Sequence, residues 1–478
     1  MTKVAVAAAA KQMKKNIGFS QTGKSLNTNI SYQVGKDSLG IKIFNRSNYK
    51  INYPKGVLAS LDQEAKQILL ENFAYCRLAP LTLTIKNKLT YKNQVPALKK
   101  FVDFGVANDL PRFSEEISIR TKELANAYNA CKDGKNSFTK TTNQSQKLSA
   151  KNPTLKNRVI MSLSFGKDSL LSYGLAKEIG LDCQIAVVDE LNPVEHKLKR
   201  LIAKKFSSQE KKPIDFLQDN VDEIFYHKKL DKKIAELENT NGMLTFLLEL
   251  IPLAFYHRAK YVIFGNERNF DDSFTNKYGV KAYPSFDQTS IYSKTLNRYL
   301  NKLTEGQIQI ISLVEPIYNI AEMQILYHRY PHLLQYLMSC SPKKGLKEKW
   351  CYSCPMCAKA YLYSVAVGGD PKLIGFNRNF FEAKYQELYP LFAKTIKRSY
   401  EKPPEVKEEQ LLAFLLAYRN GSQGPLIELF KKKFLNQAKK QERKLRKKYF
   451  AIYPAKNIPN ELKSKVIKIY QQELKDLI

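Results

Sequence analysis

Residues 158–169 read RVIMSLSFGKDS and are followed by LLSYGLAKEIG. A short apolar, β-prone run thus leads through Ser164-Phe165-Gly166-Lys167-Asp168-Ser169 into a helical pattern. The first amides of a helix have no intrahelical acceptor and point outward, and the helix dipole adds partial positive charge at the same end. This arrangement suits an anion, above all the phosphates of a nucleotide. The spacing matches neither a Walker A loop nor a dinucleotide-type GxGxxG turn. A plainer alternative is an N-capped helix after a buried strand, since Ser and Asp are ordinary caps. Phe165 constrains the turn: a phenylalanine here is expected to have φ below zero.

A second chemical signal is Cys340-x10-Cys351-x2-Cys354-x2-Cys357, within CSPKKGLKEKWCYSCPMC. Four thiolates spaced in this way can close a tetrahedral shell around one ion. Disulfides are disfavoured in a chain expected to be cytoplasmic. An iron-sulfur cluster is the competing metal reading. Cys76 and Cys183 are expected to be small buried hydrophobes. His328 and His332, four apart in LYHRYPHLL, form a metal pair only if Pro331 leaves the helix intact, and are read as structural.

Composition bounds these readings. The chain has 478 residues, 44% of them hydrophobic, enough for a large core and two or three domains. Its formal charge of +33 arises from 78 basic and 45 acidic residues, which invites a nucleic-acid partner. However, 63 of the basic residues are lysines spread along the whole chain, so nucleic acid is not favoured as the main partner. The charge favours anionic small substrates by long-range attraction. No segment reaches the roughly eighteen consecutive apolar residues of a membrane span. The N-terminal VAVAAAA is followed at once by KQMKKN, without a convincing cleavage site, so a cytoplasmic location is expected.

Four regions are expected to position these groups. Residues 1–130 read as an N-terminal α+β region, a natural substrate-recognition unit. There IKIFNRSNYKINYP and APLTLTIKNKLTYKNQVP look like paired strands, with turn residues at Asn45 to Asn48 and Asn87 to Asn93. The segment between them is helical, with a capping-box start at Ser60. Residues 131–157 are polar and read as a linker or insertion. Residues 158–395 alternate strand and helix, with CQIAVVDE and AKYVIFGNE as further strands, and indicate an α/β parallel sheet with helices on both faces. Ligands of such sheets bind beyond the carboxyl ends of the strands, where the loop, Asp189-Glu190 and Gly265-Asn266-Glu267-Arg268 all fall. Residues 396–478 form a basic helical appendage, in which one helix is expected to end at Asn420-Gly421. Its KKKFLNQAKKQERKLRKKYF is expected to present a solvated face.

The loop resembles the PP-loop, SGGxDS, of the ATP pyrophosphatases, with Phe165 standing where that superfamily has glycine. The resemblance implies ATP and magnesium: Ser164 and Ser169 would offer hydroxyls and amides to pyrophosphate, Gly166 would let the backbone approach, and Asp168 would orient the turn or the ion. Lys167, Asp189 and Gly265 complete the implied nucleotide site. More narrowly, residues 158–430 resemble the ATP-dependent UDP-N-acetylmuramoyl-L-alanyl-L-glutamate epimerase family. The shared elements are Asn266-Glu267-Arg268, Tyr292-Ser293-Lys294-x-Leu296 and Trp350-Cys351-x-x-Cys354-Pro355-x-Cys357. This implies adenylation of the terminal glutamate α-carboxylate, inversion at its α-carbon, and release of AMP and diphosphate. Asn266, Glu267, Arg268, Tyr292 and Lys294 would be substrate contacts. Such a non-redox enzyme has no evident use for iron, which favours a structural zinc at the four cysteines. The alternative is a 7-cyano-7-deazaguanine synthase-like or tRNA-modifying adenylating enzyme of the same superfamily. The proton-transfer residues and the oligomeric state are not legible.

Overall fold

Val159 and Met161 turn toward one hydrophobic core and Ile160 toward another, so the strand they share is buried on both faces. That is why its sequence is continuously apolar instead of alternating. A computed structural model of the chain describes residues 28–83, 85, 88–139, 146–149, 156–189, 193–227, 230, 237, 239–340 and 348–478. Glu190, the VAVAAAA segment and residues 140–145 and 150–155 of the expected linker lie outside the described residues.

The strands are β1 (Asn29–Val34), β2 (Ser38–Ile43), β3 (Arg46–Asn52), β4 (Leu89–Tyr91), β5 (Asn136–Phe138), β6 (Lys156–Ser162), β7 (Asp182–Asp189), β8 (Ile214–Asp219), β9 (Ala259–Ile263), β10 (Phe274–Thr275), β11 (Lys281–Ala282) and β12 (Gln309–Ile311). The helices are α1 (Gln63–Leu78), α2 (Lys99–Glu116), α3 (Thr121–Gly134), α4 (Lys167–Glu178), α5 (Pro193–Glu210), α6 (Gly242–His257), α7 (Ser290–Leu303), α8 (Asn319–Arg329), α9 (Pro355–Ala366), α10 (Pro404–Arg419), α11 (Pro425–Lys433), α12 (Leu435–Tyr449) and α13 (Asn460–Leu474). The main sheet has ten strands in the order β12-β9-β6-β7-β8-β3-β2-β1-β4-β5. The run from β12 to β8 is parallel, β8-β3-β2-β1 is antiparallel, and β4 and β5 extend β1 in parallel. The protein is therefore α/β with a large, mostly parallel sheet.

One core lies between the sheet and α4, α8, α9 and the C-terminal helices, and the other between the sheet and α1, α2, α3, α6 and α7. The N-terminal strands thus continue the central sheet and do not form a sheet of their own. The C-terminal helices likewise pack into the first core: the Tyr470 hydroxyl donates to the carbonyl of Leu313 at 2.5 Å and the Tyr453 amide to that of Pro316 at 2.8 Å. No helix among the described residues is long and apolar enough to cross a membrane.

Several local expectations change. The hairpin β2-β3 forms, but its turn sits at Phe44 and Asn45, with φ of 56° and 62°. The described residues of 79–96 form no second hairpin: Ala79–Leu83 is a 3-10 turn, held by the Lys135 ammonium on the carbonyls of Thr82 and Ile85. Asp62, not Ser60, caps α1, accepting from the Ala65 amide at 2.7 Å. Part of the expected linker is ordered, because Phe138 in β5 stacks on Tyr91 at 5.2 Å and gives a polar segment an apolar anchor. The basic C-terminal stretch forms two helices, α11 and α12, and α10 ends as expected, with Gly421 at φ 79°.

Candidate functional site

Gly166 is the N-cap of α4, with φ −69° and ψ 164°. The amides of Lys167, Asp168 and Ser169 are then the first of the helix and have no intrahelical acceptor. The turn is tied by its own hydroxyls: the Gly166 amide donates to Ser164 Oγ at 3.4 Å, Ser169 Oγ to the Gly166 carbonyl at 3.1 Å, and the two serine oxygens lie 3.3 Å apart. Gly166 adopts a conformation open to any residue.

Phe165 corrects an expectation. It has φ 62°, in the left-handed region, where a non-glycine residue costs about 1–2 kcal/mol. Its ring is fully buried and packs edge-on against Phe206 at 5.9 Å, and such burial contributes about 2–3 kcal/mol. Its carbonyl accepts from the Met338 amide at 2.8 Å. The side chain that strains the turn also anchors it, which is how a phenylalanine occupies a glycine-like position.

Gly265, at the end of β9, has a different task. A Cβ there would lie 2.7 Å from Asp168 Cβ and 3.4 Å from the Asp168 carbonyl carbon. It is glycine because the loop backbone lies directly against it.

Beneath the loop, three carboxylates converge. Asp168, Glu267 and Glu322 each present an oxygen within 4.8 Å of the others, and the Lys167 ammonium pairs with all three, at 3.2 Å for Glu322. Burial pushes the Glu322 carboxyl well above its usual range and raises Glu267, while Lys167 opposes both shifts. Burial also opposes charge on Lys167, yet the carboxylates outweigh it and hold the ammonium firmly protonated. Asp168 is held low by Lys167 against its own burial. Glu322 Oε1 has no hydrogen-bond partner although the residue is fully buried. An all-oxygen set of this kind suits a hard divalent cation.

Lys167, Asp168 and Glu267 open into a cavity of about 850 Å³. Lys167, Asp168 and Glu267 line its floor, Arg112 and Glu116 of α2 contribute one wall, and Cys340, Cys354, Lys359, Tyr363, Lys397 and Arg398 contribute others. The N-terminal region therefore reaches the site through α2. The C-terminal helices reach it through Glu409 of α10, which accepts from the Ile320 amide at 2.9 Å and from Asn269 Nδ2 at 3.0 Å. This contact fixes the N-terminus of α8, the helix that carries Glu322.

The cysteines gather at the N-terminus of α9, whose N-cap is Cys354. Their sulfurs lie within 4.8 Å of one another, with separations of 3.5 Å for Cys354–Cys357, 3.7 Å for Cys351–Cys357 and 3.9 Å for Cys340–Cys354. A tetrahedral ion with metal–sulfur bonds of about 2.3 Å sets its sulfurs about 3.8 Å apart. The four thiols are free, and their geometry fits a single metal ion such as zinc. The helix dipole at this end favours thiolate. Tyr352, at φ 53°, turns the knuckle, and Trp350 anchors it by stacking on Phe376 at 4.4 Å and donating to the Ile374 carbonyl. The Met338–Phe165 hydrogen bond ties this knuckle to the loop.

Other candidate residues lie elsewhere. Asp189 pairs with Arg200, leaving its buried Oδ1 unpartnered. Asn266 Nδ2 donates to Ser293 Oγ at 3.1 Å. Arg268 pairs with Asp271 at 3.0 Å and stacks on Tyr453 and Tyr318. Tyr292 is fully buried and donates to Asn241 Oδ1 at 2.9 Å, and Lys294 is exposed on α7. None of these five lines the cavity. α8 ends at Arg329 before Pro331, so His328 and His332 do not share a helix. Cys76 and Cys183 are buried, and burial raises their thiols to about 11 and about 12. Sequence reading missed Glu322, although an acid inside the apolar run NIAEMQILY was a usable signal. Comparison of the chain with known protein families and with curated proteins finds no match.

Proposed function

We propose that this protein is an ATP-dependent, AMP-forming enzyme that activates a carboxylate, and that its substrate is UDP-N-acetylmuramoyl-L-alanyl-L-glutamate, whose terminal glutamate it converts to the D form. The observation that carries the reading is the free helix N-terminus at 166–169 directly above the Asp168, Glu267 and Glu322 cluster. Amides and the α4 dipole suit the diphosphate of ATP. The carboxylate set fits a magnesium ion, which when bound would neutralise charge on the diphosphate leaving group. The four-cysteine knuckle fits a structural zinc, with the role of bracing the loop through Met338.

The chemistry follows from charge. An ionised α-carboxylate makes its α-proton very poorly acidic, because removal would place a second negative charge beside the first. Attack of that carboxylate on the α-phosphorus of ATP expels diphosphate and gives an acyl-adenylate, whose carbonyl accepts enolate character. A base then removes the α-proton, an acid returns one on the opposite face, and water releases AMP. Lys167 is placed to follow the phosphates, since its ammonium already bridges the floor carboxylates at the helix start.

The test incubates purified protein with ATP, magnesium and the UDP-linked dipeptide, then quantifies AMP and D-glutamate together. Substrate-dependent AMP matched by D-glutamate is expected. AMP formed only with tRNA or a deazapurine acid would move the protein to another branch of adenylating enzymes, and absence of AMP with every substrate would overturn the reading.

A further inference from the structure

The cavity carries two sets of cations with different fates. Lys167 is engaged by three carboxylates, and Arg112 is held by Asp109 through bonds of 2.9 and 2.6 Å and by Glu116 at 3.6 Å. Lys359, Lys397 and Arg398 line the same cavity yet form no ion pair among the described residues. Arg398 is instead steadied by the Tyr400 ring, 5.7 Å away, and by a 2.7 Å hydrogen bond to its hydroxyl oxygen. The nearest acid in sequence, Glu401, is raised to about 7 by burial, against the pull of Lys359 and Arg398, so it cancels only part of their charge at neutral pH.

Cations on a concave wall whose charge is only partly cancelled concentrate field lines and attract anions. A guanidinium beside two ammonium groups matches phosphate oxygens in particular. On the function proposed above, the loop at 164–169, which meets the cavity at Lys167 and Asp168, takes one set of phosphates. At about 850 Å³ the cavity sits near the upper end of the roughly 300–1,000 Å³ typical of ligand pockets, which leaves room for a second reactant beside a nucleotide.

We propose that Lys359, Lys397 and Arg398 form a second phosphate subsite, which holds the diphosphate ester of the co-substrate while the loop holds ATP. Both occupants, ATP at the loop and the diphosphate ester at the second subsite, rest on the function proposed above; the subsite itself rests on three cations that form no ion pair among the described residues. It explains why one cavity has an acidic floor for a cation and, on another wall, three cations that form no ion pair among the described residues.

The experiment is calorimetric titration of UDP, a minimal diphosphate ester, into the full-length protein saturated with α,β-methylene-ATP and magnesium. UDP is expected to bind alongside the analogue. The variant carrying Lys397→Ala and Arg398→Ala is expected to weaken UDP binding by about tenfold or more, with analogue affinity kept within about twofold. Both residues are exposed, so an unchanged melting curve serves as the folding control. Lys359→Gln is expected to act in the same direction. Displacement of the analogue by UDP, one for one, would overturn the proposal, as would variants that bind UDP like the parent. Should the analogue itself fail to bind, the ATP assignment falls, and UDP titrated into the nucleotide-free parent and variants decides the subsite by the same criterion.

Discussion

Replacing Gly265 by alanine should separate damage to the site from ordinary destabilisation. The added methyl would lie 2.7 Å from Asp168 Cβ and 3.6 Å from the Ser169 amide nitrogen. Carbon atoms in contact prefer about 3.5–4.0 Å, so the start of α4 must retreat by roughly 1 Å. Neither neighbour is a flexible side-chain end that can swing away. Overpacking of this kind costs about 1–3 kcal/mol, while a displacement of about 1 Å at a reacting centre can reduce turnover about a hundredfold. Gly180 provides the control. It has φ 85°, and a methyl group added there would meet nothing within 4 Å, so Gly180→Ala should cost about 1 kcal/mol through backbone strain and leave the loop untouched. Urea unfolding and AMP formation would be measured for both. Gly265→Ala should lose activity far beyond its loss of stability, and Gly180→Ala should lose stability alone. Equal activity in the two variants would refute the claim that Gly265 sets the height of the loop.

Phe165 yields an inverted order of substitutions. Both Phe165→Gly and Phe165→Ala should be less stable than the parent, but the glycine variant should exceed the alanine variant by about 1 kcal/mol in urea unfolding, because φ is 62°. Asp272 should shape the pH profile. Burial, reinforced by Glu405 and opposed by Arg268, pushes its carboxyl up to about 7. The folded chain thus holds a proton that the unfolded chain releases, so the contribution of Asp272 to stability is fully present below about pH 4 and is lost as the pH climbs from about 4 to about 7, by about 4 kcal/mol in all. Asp272→Asn should remove most of that fall in unfolding curves taken at pH 5 and pH 8. At the cysteine knuckle, metal analysis of the purified protein should find about one zinc ion per chain. Cys354→Ser should lose that ion and weaken binding of α,β-methylene-ATP, because Met338 links the knuckle to Phe165.

The parts legible in the sequence were those with a local cause. The strand, turn and helix around residues 158–178 and the four-cysteine knuckle each announce themselves within about twenty residues. The alternation of short apolar strands with helical stretches also revealed a parallel sheet covered on both faces. What was not legible depends on distant partners. β4 is extended because β1 and β5 flank it, and nothing in LTY requires that. Phe165 adopts a positive φ because Phe206 and Met338 hold it there. Arg268 and Tyr292 sit beyond strand ends or near motif residues, yet Asp271 and two tyrosines claim the first and Asn241 the second. Glu322 joins the floor from a helix 55 residues past Glu267, a convergence that only the packing of α8 against α4 creates.

The most direct test of the central claim is a structure determined with α,β-methylene-ATP and magnesium. Phosphate oxygens are expected on the amides of residues 166–169, with a cation among Asp168, Glu267 and Glu322 and the Lys167 ammonium withdrawn from Glu322 toward the phosphates. A nucleotide bound elsewhere, with Lys167 still locked among its three carboxylates, would contradict the claim.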